Sequence, residues 1–254
     1  MIKWIVELRT RNQLLFWSGL YFVLVSVFCL VNAIYSHESI LGTAVYLKPL
    51  KYFLSLWMMS WTIGWFINYI ESKKIKAYVP IFISLPMIVY SAIVLIQANR
   101  SITSHFNFST PFDSMLHYVL FIMALLFSIS IMVLTYTFYN QRKIKLSQHY
   151  TWGIRMGFTI FSFSLLIGVF MMLLKSHTIG GSDGSKGLYF LNWSRKYGDL
   201  RVSHILGLFS LQVLPTMSYY WFKTKAQVIT FSILYFAVFI VFLITALMGL
   251  PLIP

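Results

Sequence analysis

Two histidines set within apolar segments are the residues in this chain best suited to chemistry. His117 falls six residues past Pro111, about 9 Å into the hydrophobic run that opens there. His204 falls five residues past Asp199, about 7–8 Å into another run. The depths match, so two neutral imidazoles there could hold a haem iron or a transition metal. His177, at the end of the preceding run, is the third candidate nitrogen. Asp113 stands four residues before His117 and shares its helical face, where a carboxylate fixes the tautomer of a ligating ring. Arg201 and Gln212, three residues before and eight after His204, share that residue's face. Asp199 reads as a helix N-cap, which by itself explains its presence. Arg201 then lies in a first turn, where the helix dipole disfavours a cation. It calls for an acid such as Asp113 or Asp183, or for an anionic ligand at the outer surface. The plainer reading of each histidine is that it reaches headgroups or caps a carbonyl one or two turns below the interface. No H-E-x-x-H, H-x-x-E-H or H-x-x-x-H spacing occurs.

The elements that must position these groups are membrane helices. Of 254 residues, 59% are apolar and 10% charged, with a mean hydropathy of +0.76. Soluble domains run ~45–50% apolar and ~25% charged, so a water-soluble globule is excluded, as is disorder. The single cysteine, Cys29, excludes an intrachain disulfide and a cysteine metal cluster. Seven segments reach the ~20 residues needed to cross a ~30 Å hydrocarbon core: Leu14–Tyr35, Tyr46–Ile70, Ala77–Ala98, Pro111–Tyr139, Thr151–Lys175, Leu200–Phe222 and Ala226–Leu250. The first is too long for a cleaved signal and reads as a retained anchor. Lys48 and Lys51 in the second can snorkel to the interface. Pro86 is expected to kink the third, and Ser109-Thr110-Pro111 is a start signal for the fourth. The fold expected is an all-α, seven-helix membrane bundle: one integral domain over residues 1–254 with a long outer loop at 176–199.

Basic residues set the orientation. Lys3, Arg9 and Arg11, then Lys73, Lys74 and Lys76, then Arg142, Lys143 and Lys145, then Lys223 and Lys225 all fall on one face. That face is cytoplasmic, so the amino terminus lies inside and the carboxyl terminus outside. The net charge of +14 follows mostly from these clusters, which also meet anionic lipid. No stretch is long enough to be a basic nucleic-acid-binding module. Titratable groups other than lysine and arginine collect outside: Glu38, Asp113, Asp183 and Asp199, with His37, His105, His117, His177 and His204. Glu7, Glu71 and His149 lie inside.

The outer loop at 176–199 is glycine-rich around Gly180–Gly187, and Gly180–Gly184 formally matches G-x-S-x-G. A nucleophile elbow needs a strand–turn–helix setting. This one follows a membrane span, so a flexible turn is the better reading. The run His177-Thr178-Ile179-Gly180, Asp183-Gly184, Asn192-Trp193-Ser194 and Gly198-Asp199-Leu200-Arg201, continuing through His204, Gly207, Gln212 and Pro215, resembles a segment of an uncharacterised family of multi-pass bacterial membrane proteins. The resemblance covers about 40 residues and implies no known activity. Those proteins carry a further histidine where this chain has Phe209. Trp57, Trp61 and Trp65 form a stripe at helical spacing, read as packing or lipid contact before a stacking wall for a lipid or quinone. Asn99-Arg100-Ser101, Asn107-Phe108-Ser109 and Asn192-Trp193-Ser194 are formal outer glycosylation sequons, relevant only in a eukaryotic source.

A retinal Schiff base is excluded in its usual place, because no lysine lies between Ala226 and Leu250. Seven-span zinc hydrolases share the topology, but their histidine pair on the last helix is missing. Three classes remain for a bacterial cytoplasmic (inner) membrane protein. One is a haem or metal protein using His117 and His204. Another is a transporter or binder of a small molecule or lipid at the outer face, favoured by a helix interrupted near Pro86 or Pro215. The third is an accessory subunit of a membrane complex, or a sensor whose histidines titrate with external pH.

Overall fold

The computed structural model describes residues 2–36, 38–40, 43–141, 144–183, 187–188 and 190–253. His37, Arg142, Lys143, Gly184, Ser185 and Lys186 therefore lie outside the described residues. Among the described residues the chain is all-helical, with eight α-helices: α1 Ile2–Arg11, α2 Gln13–Tyr35, α3 Leu47–Phe66, α4 Lys73–Asn99, α5 Pro111–Asn140, α6 Gln148–Leu174, α7 Leu200–Tyr220 and α8 Lys225–Leu247. A single 3-10 turn, Ile67–Tyr69, extends α3. Two two-residue ladders complete the secondary structure: β1 Ser39–Ile40 with β2 Thr43–Ala44, and β3 Thr178–Ile179 with β4 Gly198–Asp199, both antiparallel.

Each of the seven expected segments coincides with one of the helices α2 to α8. Five of them, α2, α4, α5, α6 and α8, are long and apolar enough to cross a membrane. α3 and α7 have the length but fall short in composition. Lys48, Lys51 and three tryptophans lower the hydropathy of α3, and Arg201, His204 and Gln212 lower that of α7. Several helices begin where the sequence supplies side-chain acceptors for their first N–H groups. The Asn12 side chain accepts from Leu15 N, Ser72 from Ile75 N, and Thr224 forms a reciprocal capping box with Gln227. α4 and α7 run uninterrupted through Pro86 and Pro215.

The chain divides into two compact units, Met1–Ser130 and Ile131–Pro254, with the boundary inside α5. In the first, α2 packs along α3. Gly19 faces the Trp61 indole so closely that a β-carbon would overlap it, and Trp61 Nε1 donates to Phe16 O at 3.1 Å. α1, unanticipated from the sequence, docks on the same stripe. Trp4 stacks on Trp65 (5.6 Å) and meets Trp61 edge-on (5.9 Å), while Leu8 is fully buried. The tryptophan stripe is therefore a packing surface.

In the second unit α6 and α7 form a close antiparallel pair built on small residues, the usual way for membrane helices to bring their backbones together. From the start of α6 to its end, Gly153 meets Ser218, Gly157 meets Ser210, Ser164 meets Gly207 and Gly168 meets His204. A β-carbon at Gly153, Gly207 or Gly168 would collide with its partner. α8 ties to α7 through Tyr235 OH, which donates to Leu206 O at 2.6 Å.

Candidate functional site

The polar residues at the α4–α5 and α6–α7 connections form two clusters, one in each unit. In the first unit the cluster closes the connection from α4 to α5. Asp113 lies in the first turn of α5, only 1% exposed. Its Oδ1 accepts from Arg100 (2.5 Å) and Gln97 Nε2 (3.1 Å), and its Oδ2 from the hydroxyls of Thr110 (2.7 Å) and Ser109 (3.1 Å). Thr110 Oγ1 in turn accepts from Asp113 N, capping the helix. The acid's partner is thus Arg100, thirteen residues earlier, and its carboxylate is fully engaged in holding the connection.

His105 is tied into the same connection. Its ring nitrogens pair with Tyr90 OH at 2.6 Å and Ser104 Oγ at 2.7 Å, and Tyr90 stacks on Tyr52. His117, 4% exposed, sits among the rings of Phe108 (4.6 Å), Tyr118 (5.6 Å) and Phe106 (6.1 Å). Phe106 has φ 58°, a left-handed conformation that a bulky residue seldom adopts.

In the second unit the cluster closes the connection from α6 to α7, and each of two acids anchors one end of it. Asp199 caps α7 by accepting from Arg201 N at 3.0 Å, as its position implied. Its carboxylate receives a bidentate fork from Arg201, Nε to Oδ1 at 2.9 Å and Nη2 to Oδ2 at 2.6 Å. It also accepts from Ser194 N at 2.9 Å. Arg201 Nη2 reaches on to Asn192 O at 2.5 Å. Arg201 therefore finds its acid two residues away, rather than in Asp113 or Asp183. This resolves its misfit with the helix dipole, because the cation lies back over the cap. Asn192 has φ 55°, and the turn around it is closed by Asn192 N to Leu188 O and Leu188 N to Trp193 O.

At the other end Asp183 gathers Ser176 Oγ and Thr178 N at 3.0 Å each, His177 N at 3.3 Å and His177 Nδ1 at 3.1 Å. Partial burial on its own pushes the Asp183 pKa up. The donated hydrogen bonds around Thr178, the neighbouring His177 charge and the Ser176 hydroxyl outweigh it and hold the carboxyl below the usual carboxylate range. Leu200 N donates to His177 O at 2.9 Å, which with the β3–β4 ladder zips the two ends of the loop together.

His204 belongs to the helix seam. Its Nδ1 lies 2.7 Å from Ser164 O, and Ser164 Oγ donates to His204 O at 2.6 Å. A carbonyl only accepts, so the ring proton is on Nδ1 and Nε2 carries the lone pair. Gly168 makes room for the ring, since a β-carbon there would lie 2.9 Å from Cε1. Gln212 is half-buried on α7. Arg155 donates to Phe138 O at 2.9 Å and lies over Tyr139 and Trp152.

His177 is thus paired with Asp183, Asp199 with Arg201, and Asp113 with Arg100. His117 belongs to the first unit; His177, His204 and Gln212 belong to the second. Among the described residues no three His, Cys, Asp or Glu side chains converge as a metal ion would require. Several contributors were not singled out from the sequence: Gln97, Arg100 and the Tyr90–His105 pair, and the small residues of the α6–α7 seam. The spacings Gly153-x-x-x-Gly157 and Ser164-x-x-x-Gly168 carried the signal for the seam. No protein-family model, curated protein or solved structure matches the chain.

Proposed function

We propose that this is a seven-span protein of a bacterial cytoplasmic membrane, amino terminus inside and carboxyl terminus outside. In this reading α3 and α7 cross along with the five more apolar helices. The outer connections form rigid caps that dock a partner, making the chain an accessory subunit of a membrane complex. The observation that carries this reading is the use of the outer acids: Asp113, Asp183 and Asp199 each hold a connection in place through several donors. Groups engaged in that way order a surface rather than line a conduit. The uninterrupted courses of α4 and α7 through their prolines point the same way, because transporter sites favour broken helices. Phe190 and Leu191, exposed near the tip of the 188–193 turn, supply apolar surface of the kind buried at interfaces.

The test is extraction in a mild detergent followed by native mass spectrometry. Co-migration with a stoichiometric protein partner, lost in Phe190→Asp/Leu191→Asp, supports the reading. A chain that migrates alone after in-membrane crosslinking contradicts it.

A second reading keeps haem or a transition metal on His204, with His177 in reserve. The Nδ1 contact of His204 with Ser164 O favours it, because that tautomer presents Nε2 as the ligating nitrogen. A Soret band lost in His204→Ala supports this reading. A colourless, metal-free protein contradicts it.

A further inference from the structure

We infer that the end of the first unit formed by α1 and the start of α4 is a binding surface for the headgroups of anionic phospholipids. α1 is held against the far end of α3 by Trp4 on Trp65, by Arg11 over the Trp65 ring at 3.8 Å, and by Arg11 Nη1 on Trp65 O at 3.2 Å. From Trp65 the chain runs through the 3-10 turn Ile67–Tyr69 to Ser72, the cap of α4. The same end therefore carries Lys73, Lys74 and Lys76. Lys3 and Arg9 on α1 are exposed, as are Lys73 and Lys74, while Lys76 is half-buried. Glu7 already answers Arg11, through bonds of 2.6 and 3.0 Å. Five cations are then left at this end facing one further acid, Glu71.

These lysines do not serve the helix they open. The first turn of α4 holds no acid, and the helix dipole disfavours cations there. Their neighbours show which anion they meet. Trp4 (44% exposed) and Val6 (56%) lie on α1, and Trp17, over which Arg9 sits at 5.3 Å, is exposed on the adjoining turn of α2. A short helix with cations beside exposed apolar groups, joined to a membrane span, lies in the headgroup layer. There a phosphate meets the cations while the indoles and Val6 enter the acyl boundary. A soluble polyanion would leave those apolar groups in water. Juxtamembrane clusters of four to eight basic residues are the usual signature of anionic-lipid recognition.

The test is native mass spectrometry of the detergent-purified full chain, titrated with phosphatidylglycerol or, separately, phosphatidylcholine. Preferential retention of phosphatidylglycerol is expected. It should weaken about tenfold or more in Lys73→Gln/Lys74→Gln/Lys76→Gln and weaken in the wild-type chain as salt rises. Val6→Asn, which removes apolar surface without adding charge, should weaken retention without altering its dependence on salt. Equal retention of the two lipids overturns the inference, as does a preference unchanged in the triple variant. The wild-type salt titration decides the matter even if a variant fails to fold, since a preference insensitive to salt also overturns it.

Discussion

Arg201→Ala is the sharpest probe of how the α6–α7 connection is held. The substitution removes three side-chain hydrogen bonds, two to Asp199 and one to Asn192 O. It leaves a carboxylate that is 2% exposed, supported only by backbone N–H groups of Ser194 and residue 201. Breaking a buried ion pair from one side costs about 3–5 kcal/mol. Here the arginine side chain keeps 24% of its exposure and Asp199 keeps its backbone donors, which lowers the figure to about 2–3 kcal/mol. If the loss falls on local opening of the loop, the open population rises about 30- to 150-fold. Hydrogen–deuterium exchange read by mass spectrometry in detergent is the assay. The amides of Ser194, Lys196 and Tyr197 should lose protection by that factor, while those in the middle of α2 keep theirs. Arg201→Lys should restore little, because an ammonium cannot supply the fork. Unchanged exchange in Arg201→Ala would refute the argument that this pair orders the connection.

Asp113→Ala, which strips Arg100 and Gln97 of their shared acceptor, should cost about 2–4 kcal/mol and raise exchange across residues 101–110, read by the same method. The Asp183 carboxyl is held below its ordinary range, so its stabilisation is complete above the unfolded pKa of about 4 and is lost as pH falls through the lower folded value. Limited proteolysis of the loop should therefore accelerate on acidification below about pH 4, and Asp183→Asn should already be fast at neutral pH. Gly198→Ala places a methyl group on the Ala246 carbonyl oxygen. The resulting overpacking, about 1–3 kcal/mol or more, should appear as a lower melting temperature in detergent. Ser164→Ala, which removes the hydroxyl bond to His204 O, should cost only about 1 kcal/mol in the same measurement.

Hydrophobic run length placed the helices well because a membrane leaves backbone groups no partner outside a helix. Even the ends agree closely, as at Pro111, where a proline follows a threonine cap. α1 escaped that reading because ten residues with three cations are too few and too polar for a span. Its amphipathic face makes sense only once Trp61 and Trp65 are in place to receive it. The site was half legible. Asp199 could be recognised as a cap from the sequence alone. Its fork from Arg201 could not, because helical spacing rules compare residues within a helix and this pair folds back over the start of one. Arg100 and Asp113 are joined across a connection whose path no periodicity records. His204 drew attention as an ionisable residue in an apolar run. The glycine opposite it, Gly168, gives the ring a packing role through contact with another helix, which local sequence does not reveal.

The proposed topology rests on α3 and α7 crossing along with the five more apolar helices. Single-cysteine accessibility in intact cells tests it most directly. Cys29 is buried and would be replaced by serine. An impermeant maleimide should label Thr103→Cys and Arg195→Cys from outside, and Lys74→Cys and Lys223→Cys only after permeabilisation. Labelling of Lys74→Cys from outside, or of Arg195→Cys and Lys223→Cys from the same side, would contradict the account.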